Sequence, residues 1–422
     1  MALRAACLAL ALISLAPLVL YLLGQIRDPF HPMVLAGGIG FGIAGRKLLL
    51  DPAPALRCVA GTYLVEFELI AAASLLSLYA GWYRRGRRRG RGAAGGGVPP
   101  RAFDPGRLLK AGLLMALLAL IGNIHFWPTG YIRDWGFMQL PAAVVLIQAY
   151  MLDRRLLWPA VAGVAAALYW CVHWFFVYGG RGVTGIMLAL VAVPFLFRGT
   201  RPRKPWVLIL GFAAAVVMMT LAETRSIVGS GRAPNRFAAL AVAGGRFLRG
   251  GGHEYGPGRE FVVGAYCIQT VQKLQNWDYG RVFSDAAVIF LPHQLFPYKY
   301  EWVSRWVAPH VVPMLRRALG VNKLPGGVAP TGFADAYVQF WWLFPVFWFL
   351  LGYFTHRLYA GAVYARRPDY QGYFVAWLVV LLYLITQGIE PAVFQSLFMF
   401  IPAWLAYRYA RVRRVPVGGP NL

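Results

Sequence analysis

Long apolar runs separated by short polar segments make up most of this chain. A run such as residues 56–82 is long enough to cross the roughly 30 Å hydrocarbon core of a bilayer as a helix. Because that core holds no water, backbone N–H and C=O groups must bond to each other there, as they do in a helix. The pattern therefore predicts an all-α, polytopic membrane protein with about 10–11 transmembrane helices. The predicted spans cover approximately residues 5–23, 33–50, 56–82, 108–126, a stretch ending at 152, 156–178, 183–197, 205–222, 336–354, 373–386 and a stretch ending at 408.

One long polar segment, residues 223–335, interrupts this pattern. The chain divides accordingly into an N-terminal bundle of about 8 spans over residues 1–222, this loop, and C-terminal helices with a basic tail over residues 336–422. Within the loop, residues 235–248 and 261–277 place apolar residues near the helical period. We therefore expect a large loop that contains amphipathic helices and rests on the bilayer surface.

Basic residues indicate how the spans are oriented. The formal net charge is +26, and arginine and lysine cluster at the ends of apolar runs, where membrane proteins keep cytoplasmic charges. The linker at residues 83–107 has six arginines within residues 84–91 and is predicted to be cytoplasmic. Alternation of the spans then places the loop at 223–335 in the periplasm, because long loops cross regardless of their charge. Since the basic residues have this topological role, we expect no nucleic-acid partner.

Charged residues in and beside the first three spans need separate explanations. Eleven spans place the N-terminus outside, and Arg46, Lys47 and Arg57 then lie outside as well, against the positive-inside rule. Glu66 and Glu68 fall inside the third span and are costly in lipid. They are expected to face the bundle interior or a water-filled cavity.

Familiar catalytic and metal-binding motifs are missing from the polar segments. The four cysteines form no CxxC pair, so neither a disulfide framework nor a zinc site is indicated. No nucleotide-binding loop, metalloprotease motif or hydrolase motif occurs outside the membrane. We expect no cofactor and no metal.

The polar residues that remain suit a phosphate-bearing lipid. Arginine binds phosphate oxygens through a planar fork and keeps its charge. Arg181 lies in a Gly-Gly-Arg-Gly turn between two spans, where it is either a phosphate ligand or an interfacial anchor. Arg225 and Arg236 follow the span at 205–222, and Lys299 lies in a proline-rich turn. The two arginines are phosphate ligands or solvated or headgroup-bound charges, and the lysine is a phosphate ligand or a structural polar contact.

Candidate acids and bases lie in the same loop. His253 precedes Glu254 in a glycine-rich stretch, where the two are an acid/base pair or part of a flexible loop. His293 lies in the proline-rich turn and is a base, a phosphate ligand or a structural contact. Asp335 and Tyr337 stand where a span begins, and a helix cap is the alternative role for the aspartate.

Three short segments resemble motifs of the Wzy-type O-antigen polymerases, and their order along the chain and their spacing match those of that family. Residues 290–300, Phe-Leu-Pro-His-Gln-Leu-Phe-Pro-Tyr-Lys-Tyr, are similar to their I-P-R-x-L-F/W-P-D-K-P turn. Residues 332–340, Gly-Phe-Ala-Asp-Ala-Tyr-Val-Gln-Phe, are similar to the E-x-Y-x-N-F-G start of a membrane helix. Residues 179–182 resemble an S-R-G turn. The resemblance covers roughly residues 169–359.

Several motif positions differ from the family pattern. His293 replaces the arginine of the turn, and Tyr298 replaces its aspartate. Asp335 replaces the glutamate and Gln339 the asparagine of the helix-start motif. These substitutions put the role of His293 in question, although a histidine still offers a donor to phosphate.

The resemblance implies a glycosyltransferase of the bacterial inner membrane. Such an enzyme polymerises undecaprenyl-pyrophosphate-linked oligosaccharide repeat units for O-antigen or exopolysaccharide on the periplasmic face. Its partners are that lipid-linked substrate, membrane lipids, and a flippase and chain-length regulator. On this interpretation Asp335 is the base, with His293 and His253 as rivals. The substrate-binding residues are Arg181, Arg225, Arg236, Lys299 and Tyr337.

Two other functions share parts of this pattern. An O-antigen ligase, or another glycosyltransferase that uses lipid-linked sugars, has the same need for arginines but a different acceptor. A polysaccharide transporter or flippase belongs to another class, in which internal repeats and charges at the membrane midplane are typical. The chain has no clear repeat, and its long polar segment lies outside the predicted spans.

Overall fold

The computed structural model describes residues 2–28, 31–41, 55–56, 59–89, 103–122, 135–178, 181–199, 259–275, 277–284 and 330–412, with isolated positions between 203 and 242. Nearly all of these residues are helical, and the only strand-like pairing among them joins Phe103 to Arg411. We number the helices in chain order. They are α1 (Ala2–Leu22), α2 (Pro32–Gly40), α3 (Gly61–Arg89), α4 (Pro105–Gly122), α5 (Gln139–Leu152), α6 (Leu157–Tyr178), α7 (Arg181–Arg198), α8 (Arg259–Leu274), α9 (Gly332–Phe340), α10 (Phe344–Tyr359), α11 (Pro368–Gln387) and α12 (Ile389–Ala410).

Apolar helices of membrane-spanning length confirm the predicted class. Within the described residues, seven helical stretches are long and apolar enough to cross a bilayer. The predicted span at 205–222 and most of the one at 33–50 lie outside the described residues. The seven stretches are Ala2–Leu22, Gly61–Arg84, Pro105–Gly122, Trp135–Leu152, Gly332–Tyr364, Pro368–Gln387 and Ile389–Ala410.

Glycines allow the central helices α3 and α10 to touch along their backbones. A Cβ atom on Gly352 of α10 would lie 2.0 Å from the carbonyl oxygen of Leu78 in α3. A Cβ atom on Gly81 of α3 would lie 2.0 Å from the carbonyl oxygen of Phe349. Small residues at such crossings are the usual means of close helix packing in lipid, where apolar burial gives little driving force. These two helices form the centre of the bundle.

One end of the bundle collects basic residues, and we call it the basic end. The start of α4 meets the end of α12, because Asp104 N–H donates to the Ala410 carbonyl at 2.9 Å. His31, which precedes α2, packs its ring against Trp82 of α3 at a centroid distance of 4.6 Å. The connection between α1 and α2 therefore lies at this end. Alternating spans require this position if α1 begins at the opposite end of the bundle. The cations of the basic end are Arg27, Arg84, Arg107, Arg154, Arg155, Arg198, Arg357, Arg366, Arg367, Arg408 and Arg411.

The predicted span at 336–354 is not one helix. Helix α9 already begins at Gly332, ends at Phe340, and is followed by a 3-10 turn at Trp341–Leu343. Trp341 has a left-handed backbone with φ +50°. Aromatic pairs fold α9 back along α10, since the rings of Phe340 and Phe347 stack at 4.9 Å. A continuous apolar sequence hides this turn, which is why the hydrophobic pattern predicted a single span.

Candidate functional site

Three helices bring polar side chains together at the end of the bundle opposite the basic end. Glu66 lies about 27 Å before Arg84 along α3, and we call its surroundings the polar end. The side-chain amide of Gln272, from α8, donates to the Glu66 carboxylate. The same Gln272 nitrogen lies 3.1 Å from the hydroxyl oxygen of Tyr337 in α9. Glu66 is half-buried, so a substrate can reach it.

A close contact between α8 and α3 positions this cluster. A Cβ atom on Gly264 of α8 would lie 2.6 Å from the Phe67 ring of α3, so only glycine fits there. The side chains from Phe261 to Ile268 are buried wherever they are apolar. The predicted helix within residues 261–277 is therefore confirmed, but it packs among α3 and α9 instead of lying on the bilayer surface. Its apolar residues surround the helix, which favours burial over a surface position.

Two residues apart in α3, Glu66 and Glu68 have different environments. Glu68 is fully buried, and neither of its carboxyl oxygens has a hydrogen-bond partner among the residues that the structure describes. Glu68 thus faces the bundle interior, as expected from the cost of charge in a bilayer. Only Glu66 is accessible enough to take part in chemistry with an external substrate.

Asp335 joins α9 to the start of α12. Its Oδ2 atom accepts a hydrogen bond of 2.6 Å from the backbone N–H of Ile389. The backbone N–H of Glu390 and the side chain of Gln339 also bond to the carboxylate. Gly388 has φ +114°, and a Cβ atom there would lie 2.8 Å from Asp335 Oδ2. A carboxylate at a helix N-terminus satisfies unpaired amides and complements the helix dipole.

This contact bears on the two roles that the sequence left open for Asp335. The aspartate caps a helix, but the helix is α12 and not its own. Thr331 caps α9, accepting from the backbone N–H of Ala334 at 3.5 Å. The role of Asp335 as a base stays a prediction.

Gln339 fixes the turn at residues 277–284 against the end of α9. Its side-chain nitrogen donates to Asp278 Oδ2 at 3.1 Å, and its Oε1 accepts from the backbone N–H of Val282 at 3.3 Å. The backbone N–H groups of Asp278 and Gly280 donate to the carbonyls of Val338 and Gln339 at 3.1 Å and 2.6 Å. Four hydrogen bonds therefore hold this turn to one helix end.

The sequence-predicted residues divide into three groups. Asp335 and Tyr337 both lie at the polar end and are buried. Arg181 is the first residue of α7, and only its backbone is described. That helix reaches the basic end at its last turn, where Gly199 meets Arg366, so Arg181 starts it at the polar end. The residues that lie outside the described residues are His253, His293, Arg225, Arg236 and Lys299.

Sequence reasoning did not connect Glu66 and Gln272 to the site. In the sequence, Glu66 is only a carboxylate inside an apolar run, where its charge is costly. Gln272 is one of several polar residues in a predicted helix. A carboxylate within a predicted span was the available signal. Among the described residues, no group of three histidine, cysteine, aspartate or glutamate side chains is placed to hold a metal ion.

No family model, curated protein or solved structure matches this chain. The arrangement of its own side chains is therefore the basis for the function proposed below.

Proposed function

We propose that this chain is a glycosyltransferase of the bacterial inner membrane that polymerises undecaprenyl-pyrophosphate-linked oligosaccharide repeat units on the periplasmic face. The observation that carries the proposal is an accessible carboxylate, Glu66, held by Gln272 at the end of a helical bundle opposite the basic end. This arrangement suits a substrate whose lipid tail lies in the bilayer and whose sugars lie outside it.

Charge supports the proposed side of the membrane. Arginine and lysine at the ends of spans stay in the cytoplasm, so the basic end is cytoplasmic and the polar end periplasmic. The cations Arg366 and Arg367 follow the π-helical turn Ala360–Tyr364 that continues α10, and Arg411 follows α12. Because α3 and α10 both end at this side, their other ends, with Glu66 and the turn at Trp341–Leu343, face the periplasm.

Glycosyl transfer at this site needs a base and a stabilised leaving group. A hydroxyl oxygen of the acceptor sugar attacks C1 of the sugar that carries the lipid pyrophosphate. The bond between C1 and the phosphate oxygen breaks, and the lipid pyrophosphate leaves with the bonding electrons. Glu66 accepts the proton of the attacking hydroxyl, and such general-base assistance contributes about 10²–10⁴-fold. Gln272 orients the Glu66 carboxylate, and Tyr337 orients Gln272.

This assignment differs from the base expected from the resemblance. Asp335 already accepts hydrogen bonds from the start of α12, so we give it the role of positioning that helix. His293 and His253 are the rival bases that the resemblance leaves open.

Cations bind the leaving pyrophosphate in this proposal. Arg181 begins α7 at the polar end, and its guanidinium suits two phosphate oxygens at once. Arg225, Arg236 and Lys299 supply further positive charge from the long loop. Fixed cations stabilise the charge that develops on the leaving group. A flippase delivers the substrate, and a chain-length regulator sets the product length.

Surface polysaccharide from a deletion strain tests this proposal. Loss of a polymerase leaves a surface glycan of single repeat units, which a gel separates from the normal ladder. Accumulated lipid-linked polymer would identify a ligase instead. Loss of all surface glycan, with lipid-linked single units retained inside, would identify a flippase.

Side-specific labelling tests the proposed orientation independently. Ser284 at the polar end and Arg411 at the basic end are both exposed. In a chain whose native cysteines are replaced by alanine, a membrane-impermeant maleimide added to intact spheroplasts is expected to label Ser284→Cys and not Arg411→Cys. The reverse pattern would place Glu66 in the cytoplasm and end the proposal.

A further inference from the structure

Exposed aromatic side chains surround the polar end. Tyr279 is 74% exposed, Trp342 59%, Phe283 51% and Trp341 43%. We call these four residues the aromatic rim. Trp342 contacts the Tyr337 ring at a centroid distance of 5.7 Å, so the rim continues directly from the cluster that holds Glu66.

The backbone that presents the aromatic rim is conformationally disfavoured. Tyr279 has φ +48° and Trp341 φ +50°, and nearby Gln275 has φ +51°. A side chain makes the left-handed region unfavourable for such residues. Arg366, at the basic end, is the one other non-glycine residue with a positive φ in the described chain. Disfavoured conformations that the surrounding structure maintains concentrate at ligand-binding sites.

The aromatic rim is also rigid. The turn at residues 277–284 is held to the end of α9 by the hydrogen bonds of Gln339. Phe283 packs on Phe340 at a centroid distance of 6.2 Å, and Trp341 packs on Trp277 at 5.5 Å. A rigid aromatic surface loses little conformational entropy when a ligand binds.

Pyranose rings match this surface chemically. One face of such a ring carries C–H bonds, whose partial positive charge is attracted to the negative face of an aromatic ring. Its edge carries hydroxyls, which bond to polar side chains such as Asp278 beside the rim. We propose that the aromatic rim binds a pyranose of the acceptor oligosaccharide and so brings its hydroxyl to Glu66. This inference rests on the proposed function, because it names where the acceptor lies.

Interfacial anchoring is the competing explanation for exposed aromatics in a membrane protein. Trp158 provides a matched control, since it is 77% exposed and lies beside Arg154 and Arg155 at the basic end. An anchoring role predicts that replacing an exposed aromatic residue has the same effect on sugar affinity at either end. A sugar-binding role predicts that only the aromatic rim affects sugar affinity.

Binding of a free oligosaccharide to the purified full-length chain tests the inference. The probe is the repeat-unit oligosaccharide released by mild acid from the strain's own surface glycan, measured by saturation-transfer NMR and titration calorimetry. Tyr279→Ala and Trp342→Ala are expected to weaken its affinity about tenfold, which corresponds to the loss of one stacked ring. Tyr279→Phe keeps the ring and is expected to bind within about twofold of the wild type, as is Trp158→Ala.

Two results would overturn the inference. One is wild-type affinity in both alanine variants of the aromatic rim. The other is an equal loss in Trp158→Ala, which would indicate anchoring. If Trp342→Ala does not fold, Tyr279→Ala decides alone, because Tyr279 lies on a surface turn. The deletion strain distinguishes a failure of the proposed function from a failure of this inference. If that strain has a normal ladder and the purified chain still binds the oligosaccharide, the polymerase proposal is rejected and the sugar-binding role of the aromatic rim is retained.

Discussion

The two ends of this bundle present different polar surfaces. At the basic end, polar groups pair within the protein: Tyr407 donates to Gln148 Oε1 at 2.6 Å, and Arg367 pairs with Asp369 at 2.6 Å. At the polar end, Glu66 is half-buried and accessible, and the surrounding backbone is conformationally disfavoured. The comparison teaches that the arginines of the basic end suit a role in orientation, whereas the proposed chemistry uses a carboxylate at the other end, despite the net charge of +26.

Removing the charge of Glu66 is the strongest test of this contrast. Glu66→Gln keeps the size of the side chain and removes the base, so we expect at least about a 100-fold loss of polymerisation. Protein abundance in the membrane is expected to stay at the wild-type level. The measurement is the gel ladder of surface polysaccharide in a complemented deletion strain.

Asp104→Asn is the matched control at the basic end. Asp104 is an accessible carboxylate beside Arg107, and its variant is expected to give a normal ladder. Equal losses in the two variants would mean that the ladder reports membrane insertion and not chemistry at Glu66.

Variants of Asp335 distinguish a positioning role from a catalytic role at the polar end. Asp335→Ala leaves the amides at the start of α12 unpaired, and we expect the free energy of unfolding to fall by about 2 kcal/mol. Asp335→Asn keeps an oxygen acceptor, so a loss of only about 1 kcal/mol is expected, with most of the activity retained. Thermal unfolding in detergent measures the stability. An inactive Asp335→Asn protein with wild-type stability would make Asp335 the base in place of Glu66.

Two tyrosines, one at each end, form a matched pair. Tyr407→Phe removes a buried hydrogen bond at the basic end and is expected to cost about 1 kcal/mol of stability without changing the ladder. Tyr337→Phe at the polar end frees Gln272 to move, and we expect shorter ladders with little change in stability. The contrast between the ends fails if both variants shorten the ladder equally.

Acid sensitivity is expected to originate at the basic end. Burial and the nearby His356 lower the pKa of His31 to about 4, whereas an unfolded histidine has a pKa of about 6.5. The folded state therefore binds the proton less well, so stability is full above about pH 6.5 and falls as the pH drops toward 4. Between pH 7 and pH 6 the expected loss is about 0.7 kcal/mol.

Unfolding midpoints at the two pH values measure this loss, and His31→Gln is expected to reduce it. An unchanged pH dependence in that variant would assign the titration to another group.

Hydrophobic patterning predicted the helices well because membrane-spanning length and apolarity are local properties. Seven stretches of the described chain have them. The residues of the polar end are distant in sequence, with Gln272 lying 206 positions from Glu66 and 65 from Tyr337. No local pattern brings such residues together, because their proximity depends on how α3, α8 and α9 pack.

Asp335 also shows that contacts between distant helices cannot be predicted from the local sequence. Its sequence position suggested a cap for the span that begins there, but the helix that it caps begins 54 positions later, at Ile389. The left-handed Trp341 was equally hidden, since a tryptophan inside an apolar run gives no turn signal. Each of these features depends on contacts between helices and not on the residues beside it.

Helix α9 has a consequence for how specificity can change. Gln339 near its end holds the turn at residues 277–284, and Thr331 caps its start, so the described residues Ser284 and Pro330 lie near the two ends of one nine-residue helix. Those ends are about 13 Å apart. Under the proposed function, residues 285–329 can therefore be replaced between two close, fixed points, and we expect changes there to alter glycan preference without moving α9.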